Sequence, residues 1–417
     1  MPPQRGRTRN RHGIKEKTPY NKDITRWSLS IILYYKRGRQ LDFPRAQNSL
    51  FQALTAVEKI ILETTFQSIA GERVHLTFSL APELPQPAGL EELLDNATAS
   101  AEPLVQQLIA HSLPGGKRLR PALVAITAGF YPADPAEVTR VAAAVELIHL
   151  ASLVHDDVLD NAATRRSRPA LHRLCGAVPA VLTGDYLFAT AFGLLADTKK
   201  GILRIITRAI RTMCEGEIQE LSVVNFCEEA YFAHIAKKTA ALIDVACQSG
   251  GILCGMKRTQ LVRLSRYGTH LGCAFQVVDD LLDLAGRSEL LGKPCLQDLS
   301  QGILTLPVLH FLEVSPRAGQ WKEKLRRGGL TADQGRELVA QARELGCLEY
   351  AGQAAQKQVR LAQEALEGLP AGKARDSLAM VAQKVLFPLH LLDHTGPAQA
   401  GAQPEQAASP PVPALQQ

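Results

Sequence analysis

The sequence predicts an all-α fold, a bundle of helices around an apolar interior. The chain has 417 residues, is rich in Ala and Leu, and is only 5% aromatic, which favours helices over a β-sandwich. Apolar residues recur at helical spacing along most of it, and no alternation of period two competes with that pattern. With 46% hydrophobic residues, the chain can bury a large core.

Capping signals justify the two longest helices. Asp134, Pro135 and Glu137 supply an N-cap, a proline at the first helical position and an acid in the first turn, which predicts a helix over about 138–160. A second long helix is predicted over about 259–284, ending before Gly286. The remaining predicted helices cover about 90–111, 117–129, 178–195, 201–221, 229–253, 303–313, 331–344, 348–367 and 373–391.

The positive charge belongs to one end of the chain. Residues 1–40 carry eleven Lys or Arg and two acids, a net +9, whereas the whole chain has a net charge of +6. We therefore expect a basic N-terminal extension over 1–85, largely disordered at 1–40, and a disordered Pro/Ala/Gln tail over 395–417. The arm has three interpretations, which composition leaves open: contact with nucleic acid or an anionic membrane, an organellar transit peptide, or a misassigned start.

The rest of the composition points to a cytoplasmic protein. The eight cysteines form no C-x-x-C pair and lie mostly in apolar stretches, so we interpret them as reduced core residues. No apolar run reaches the roughly 18 residues that span a bilayer, so we expect a soluble protein. Organellar targeting by residues 1–40 remains an alternative to a cytoplasmic location.

Two aspartate clusters of identical spacing, DDVLD at 156–160 and DDLLD at 279–283, lie in strongly apolar runs. The first and last Asp of each cluster share a helix face, where like charges repel and burial adds to the cost. Such an arrangement is tolerable where a cation binds, and oxygen-only ligands suit Mg²⁺. The alternative is a solvated acidic face, an interpretation that the repetition of the cluster disfavours.

Basic and polar groups accompany these clusters. Arg165 and Arg166 follow the first one, GGKRLRP stands at 115–121, and His149 lies two turns before Asp156. Each has an ordinary alternative: a basic helix end, a simple turn, and a satisfied core histidine. Lys238, Thr239, Gln276 and Lys293 add polar groups whose signal is weak when each is taken alone.

Together, these motifs resemble the trans-prenyl (polyprenyl) diphosphate synthase family over about residues 90–393. The matches are GGKRLRP, ELIHLASLVHDDVLD with TRR, LTGDYLFA, GEIQE, KTA, FQVVDDLLD, and GKP with DL and TLP, in the family's order. The resemblance implies an isoprenoid-synthase-type helical bundle with a central apolar cavity, formed by a catalytic domain over 86–394. It also implies elongation of an allylic diphosphate with isopentenyl diphosphate.

The resemblance assigns the site residue by residue. It implies that Mg²⁺ is held by Asp156, Asp157, Asp160, Asp279, Asp280 and Asp283. It places isopentenyl diphosphate on Lys117, Arg120, His149 and Arg166, and the allylic substrate on Arg165, Lys238, Thr239, Gln276 and Lys293. Lys238, Arg165 and Arg166 would stabilise the departing diphosphate. Small residues below Asp156, namely Ala151 and Ser152, indicate a medium- or long-chain product, such as a quinone side chain.

Further expectations concern partners and rivals. The resemblance implies a homodimer, leaves a small accessory subunit open, requires no nucleic acid and allows at most peripheral membrane contact. The alternatives are a shorter-chain (geranylgeranyl-type) synthase, a class I terpene cyclase and a non-catalytic partner subunit. The chain departs from the family pattern at Asn161, at Ser167 where Gly is usual, and at Glu220 where Gln is commoner.

Overall fold

The computed structural model describes residues 84–166, 168–220, 227–285, 296–300, 302–327 and 330–389. The chain divides into two units, Met1–Val74 and His75–Gln417, and every described residue belongs to the second. The predicted disordered arm and the predicted tail lie outside the described residues, as does Lys293.

The described part is built almost entirely of helices, which confirms the predicted all-α class. The helices are α1 Leu90–Thr98, α2 Pro103–Ser112, α3 Leu119–Ala128, α4 Pro135–Leu159, α5 Leu171–Cys175, α6 Ala177–Ala196, α7 Lys200–Glu220, α8 Glu228–Ile235, α9 Ala241–Leu253, α10 Arg258–Ala285, α11 Gln297–Ser300, α12 Leu306–Val314, α13 Ala318–Arg326, α14 Ala332–Glu344, α15 Cys347–Leu366 and α16 Lys373–Val385. A π-helical turn, Ala236–Ala240, joins α8 to α9, and β1 (Thr164–Arg165) pairs antiparallel with β2 (Arg168–Pro169).

Capping groups fix the helix that carries the first aspartate cluster. Asp134 Oδ1 accepts a hydrogen bond of 3.0 Å from the Ala136 N–H, and Pro135 occupies the first helical position. The cap satisfies one of the donors that every helix N-terminus leaves unpaired. The helix predicted to begin here therefore begins where the sequence indicates.

The two aspartate-bearing helices, α4 and α10, both contact α9 in the core. The α10 helix also packs along α15, and α4 packs along α6. Gly272 of α10 permits one close approach, because an added Cβ there would lie 2.5 Å from the Cα of Ala240. The π-helical turn can therefore lie directly against α10.

The structure differs from the predicted elements where local geometry interrupts a continuous apolar pattern. The helix predicted over 90–111 is two helices, because Pro103 begins a new one at its first position. The helix predicted over 229–253 contains the π-helical turn, and α13 is a helix that periodicity missed. Arg118 has a φ of 47°, so α3 begins at Leu119 instead of residue 117.

Two helices, α4 and α6, are long and apolar enough to cross a membrane by length and composition alone. We did not predict this property from the sequence, because polar residues interrupt the apolar run in each helix. In α4, 67% of the apolar stretch is buried inside the bundle, as in the core helix of a soluble protein, whereas in α6 only 33% is buried.

Candidate active site

The first aspartate cluster lies at the C-terminal end of α4, where the helix macrodipole disfavours negative charge. Burial raises the pKa of Asp156 to about 7, and repulsion from Glu217 and Asp160 adds to the rise, which Lys238 only partly offsets. Burial also raises the pKa of the Asp160 carboxyl. The site therefore holds carboxylates whose ionised forms a bound cation would stabilise.

Asp157 has a different environment from its two neighbours. The residue is only 3% exposed, and its Oδ1 accepts hydrogen bonds from Arg165 Nε at 2.8 Å and Nη2 at 2.5 Å. The β1–β2 hairpin carries Arg165 back over the end of α4. The predicted metal ligand Asp157 and the predicted substrate ligand Arg165 therefore bind each other in this conformation.

The Arg166 side chain packs against the two glycines at positions 115 and 116. Its Nη1 donates to the carbonyls of Gly115 at 2.7 Å and Pro114 at 3.1 Å. Both glycines have positive φ, and a Cβ on Gly116 would lie 2.7 Å from Arg166 Nη2. Gly116 therefore makes room for the Arg166 guanidinium.

Buried basic side chains lie close to this turn. Arg120 Nε is buried and has no hydrogen-bond partner among the described residues, and burial lowers the pKa of Arg120 to about 10 with a further contribution from Arg166. Burial, together with Arg120 and Arg166, lowers the pKa of His149 well below its usual value. Like charges at this density favour binding of an anion.

Arg118 of the same motif is engaged elsewhere. It donates to Glu146 at 2.8 Å and to Glu91 at 2.9 Å, and Glu146 is only 2% exposed. This buried pair anchors the start of α3 against α4. The GGKRLRP motif therefore contains one structural arginine, Arg118, between two residues, Lys117 and Arg120, that were predicted to bind substrate.

The second aspartate cluster, on α10, is tied into a buried hydrogen-bond network. The Tyr231 hydroxyl donates to Asp280 Oδ2 at 2.6 Å, and Gln276 Nε2 donates to Asp280 Oδ1 at 2.7 Å. Burial raises the pKa of Asp280 to about 7. Each Asp280 oxygen thus accepts one hydrogen bond, and these two bonds fix the orientation of the carboxylate.

The π-helical turn connects the two clusters. Thr239 Oγ1 donates to Gln276 Oε1 at 2.6 Å, which extends the network of the second cluster. The adjacent Lys238 lies close enough to Asp156 and Asp160 to lower the pKa of each. Its Nζ also contacts Glu220 at 2.7 Å and Glu217 at 3.0 Å. One polar segment therefore spans the space between the clusters.

The carboxylate oxygens present are the ligands that Mg²⁺ prefers. Within the described residues, no three His, Cys, Asp or Glu side chains form a ready-made metal cage. Mg²⁺ keeps several waters and binds through one or two carboxylates plus substrate phosphates, so a pair such as Asp156 and Asp160 fits it. The raised pKa values of Asp156 and Asp160 agree with such a site.

Comparison with known proteins gives the family. The family model for polyprenyl synthetase matches residues 102–342. The chain is 38% identical over 284 residues to the short chain isoprenyl diphosphate synthase of Methanothermobacter thermautotrophicus, covering 65% of this chain and 86% of that protein. It is 34% identical over 301 residues to heptaprenyl diphosphate synthase component 2 of Bacillus subtilis, covering 71% and 86%.

A solved structure agrees with these relatives. The polyprenyl synthase of Caulobacter crescentus CB15, crystallised with calcium and isoprenyl diphosphate, superposes with a TM-score of 0.68 at 34% identity, covering 72% of this chain and 93% of that one. The chain belongs to the polyprenyl synthetase family. The synthetase is thus a prenyltransferase with the all-α isoprenoid synthase fold, as the motifs predicted.

Sequence reasoning missed several residues of the synthetase's site. Tyr231, which holds Asp280, precedes the KTA motif by seven residues and gave no signal of its own. Glu217 and Glu220 belong to GEIQE, a motif that was matched without a role for either carboxylate. Their spacing of three on α7 was the available signal, because it places both on one helix face.

Proposed function

We propose that this synthetase elongates an allylic diphosphate by successive head-to-tail 1′–4 condensation with isopentenyl diphosphate. The product is a medium- or long-chain all-trans polyprenyl diphosphate, suited to a quinone side chain. One observation carries the proposal: the π-helical turn places Lys238 beside the first aspartate cluster and Thr239 in the network of the second. Both clusters can therefore serve a single diphosphate.

Cationic side chains act on the bond that breaks. The C–O bond of the allylic diphosphate ionises, and negative charge develops on the departing diphosphate. Lys238, Arg165 and Arg166 stabilise this charge. The double bond of isopentenyl diphosphate then attacks the allylic cation, and the resulting tertiary cation loses a proton, which the released diphosphate accepts. This route requires no side-chain nucleophile.

The second diphosphate has its own cluster of cations. The unpartnered Nε of Arg120 and the neighbouring Arg166 provide charge-assisted donors for the isopentenyl diphosphate headgroup. His149 stays neutral near physiological pH, because burial and the surrounding arginines lower its pKa. It can therefore donate one hydrogen bond without adding a further positive charge. Lys117, at the start of the same motif, completes the proposed set.

Magnesium would be held by Asp156 and Asp160 on one side and by Asp279 and Asp283 on the other. When bound, Mg²⁺ neutralises the diphosphate and stabilises the charge that develops as it departs. Asp157 and Asp280 support these ligands through Arg165 and through Tyr231 and Gln276. This division of labour refines the family assignment, in which all six carboxylates were grouped together.

Product length depends on the residues one helical turn below Asp156. Ala151 is fully buried, whereas Ser152 is half-buried and its hydroxyl donates to the His149 carbonyl at 2.9 Å. Ser152 shares the helix face of Asp156, four residues on, so the growing chain would pass it first. A small residue there supports a medium- or long-chain product over a short one.

The exposed face of α6 is best suited to contact with a second copy of the chain. This face is mostly apolar and includes Val178, Val181, Leu182 and Phe192, with exposures of 71%, 39%, 60% and 36%, while Asp185 interrupts it. Clustered exposed apolar side chains of this kind are typical of an interface. Because α6 packs against the aspartate-bearing α4, a dimer formed there would hold α4 and its aspartates in position.

One incubation tests the proposed reaction. The full-length protein is mixed with isopentenyl diphosphate, farnesyl diphosphate and Mg²⁺, and the lipid products are analysed by mass spectrometry. We expect polyprenyl diphosphates longer than the primer and no turnover with chelator. Products no longer than geranylgeranyl diphosphate would contradict the chain length. Reaction of the allylic substrate alone would indicate a cyclase, and no reaction would indicate a non-catalytic subunit.

A further inference from the structure

Lys238 is held between two carboxylates in the ligand-free site. Its Nζ lies 2.7 Å from Glu220 Oε2, and 3.0 Å and 3.2 Å from the two oxygens of Glu217. All three side chains are between 23% and 28% exposed. The ammonium group assigned to the allylic diphosphate is therefore already neutralised by internal partners.

Glu220 is fixed from two sides. Its Oε2 accepts from Lys238, and its Oε1 lies 3.4 Å from His234 Nε2, one helical turn before the lysine. Although burial favours the protonated form, His234 and Lys238 lower the pKa of Glu220 to about 2. Glu220 is thus ionised at any physiological pH. A glutamine, the commoner residue at this position in the family, would contribute no charge.

The charges around Lys238 are predominantly negative. Asp156, Asp160, Glu217 and Glu220 all act on it, and Glu220 itself raises the pKa of Asp160. A diphosphate that approaches Lys238 must take the place of a carboxylate that already contacts it. The attraction between Lys238 and that carboxylate is lost when the diphosphate binds. The contact with Glu220 therefore opposes binding of the diphosphate.

We propose that Glu220 determines the affinity for the allylic substrate by competing with its diphosphate for Lys238, an inference that rests on the proposed function. Glu220 is a specificity-determining residue and takes no part in bond making. Within the described part of the chain, the charged groups that shift the pKa values of Arg120, His149 and Arg166, which are predicted to bind isopentenyl diphosphate, do not include Glu220. The competition therefore concerns one of the two substrates only.

Steady-state kinetics of Glu220→Gln test the inference with farnesyl diphosphate as primer. We expect the KM for farnesyl diphosphate to fall about two- to five-fold, the effect of one partly exposed charge pair. The KM for isopentenyl diphosphate and kcat should change by less than two-fold. Glu215→Gln, the same substitution at an exposed position of α7, is the matched control and should leave all three constants unchanged.

A double-mutant cycle separates competition from simple repulsion. Binding of farnesyl diphosphate with Mg²⁺ is measured by calorimetry for the wild type, E220Q, K238Q and the double variant. Competition predicts that E220Q gains affinity only where Lys238 is present. An equal gain in both backgrounds, or an unchanged or raised KM in E220Q, overturns the inference while wild-type turnover upholds the proposed function. A wild type that forms no polyprenyl product overturns both.

Discussion

Asp156 carries a carboxyl group whose ionisation the fold opposes. Burial, aided by Glu217 and Asp160, raises its pKa from 3.8 to about 7. Because this folded-state pKa lies above that of the unfolded chain, the folded protein binds the proton more tightly between these values. The stability that the protonated group contributes is therefore complete below about pH 4 and is lost as the pH rises through 7.

Asp156→Asn should accordingly stabilise the metal-free protein at high pH. The amide stays neutral at every pH, so we expect the free energy of unfolding to rise by about 1–2 kcal/mol at pH 8 and to match the wild type at pH 4. Urea unfolding in chelator at both pH values measures this. Asp95→Asn, at an exposed position of α1, controls for the substitution itself. Equal wild-type and variant stability at pH 8 would contradict the argument.

Ser152 offers the most direct control over product length. Ser152→Phe would place a ring one turn below Asp156, where it blocks the growing chain, so we expect shorter products by lipid chromatography. Ser152→Ala, which keeps the position small, should leave the product length unchanged. Ala151 is a poorer test position, because it is fully buried and a ring there would overpack the core at a cost of about 1–3 kcal/mol. An unaltered product from Ser152→Phe would show that the chain grows elsewhere.

At the scale of single elements, one glycine makes room for a side chain where α4 packs against α6. A Cβ on Gly184 would lie 2.2 Å from His155 Nε2, the atom that contacts the Val181 carbonyl at 3.0 Å. His155 immediately precedes the first aspartate cluster. The glycine of the LTGDYLFA motif thus makes room for the His155 ring beside the first aspartate cluster.

Gly184→Ala should therefore impair both stability and catalysis. We expect a loss of about 1–3 kcal/mol, typical of overpacking, and a lower kcat because Asp156 moves with its neighbour. Thermal unfolding and turnover measure the two effects. Adding His155→Ala should relieve the clash, so the double variant should be more stable than the sum of the single effects. Strict additivity would show that the histidine is not the obstacle.

Sequence reasoning succeeded where one periodic or capping signal decides an element. The N-cap of Asp134 and the apolar period located α4, and the same pattern located α10 with its aspartates. It could not locate the π-helical turn that carries Lys238 and Thr239, because that turn of 5 residues is short beside the roughly 11–18 residues over which periodicity is judged. It likewise could not tell that Asp157 and Asp280 have protein partners, since Arg165 and Tyr231 reach them through tertiary contacts.

At the scale of the whole molecule, α6 leaves large apolar side chains exposed to water. Val178, Val181, Leu182 and Phe192 line one side of a helix whose apolar stretch is only 33% buried. The opposite side of α6 packs against α4, the helix that carries the first aspartate cluster. A second copy that covers it would remove the apolar surface from water and hold α4 in place.

A charge in the middle of this face should separate the copies. Leu182 is 60% exposed, so Leu182→Glu adds little strain to the monomer but buries an unpaired carboxylate in a dimer, which costs several kcal/mol. We expect sedimentation to show a dimer for the wild type, a monomer for Leu182→Glu, and lower turnover in the variant as α4 loses its brace. Met380→Glu, on α16 and 43% exposed, is the matched control and should remain dimeric. A monomeric wild type would rule out the copy as occupant, and binding of that monomer to lipid vesicles would identify a membrane surface in its place.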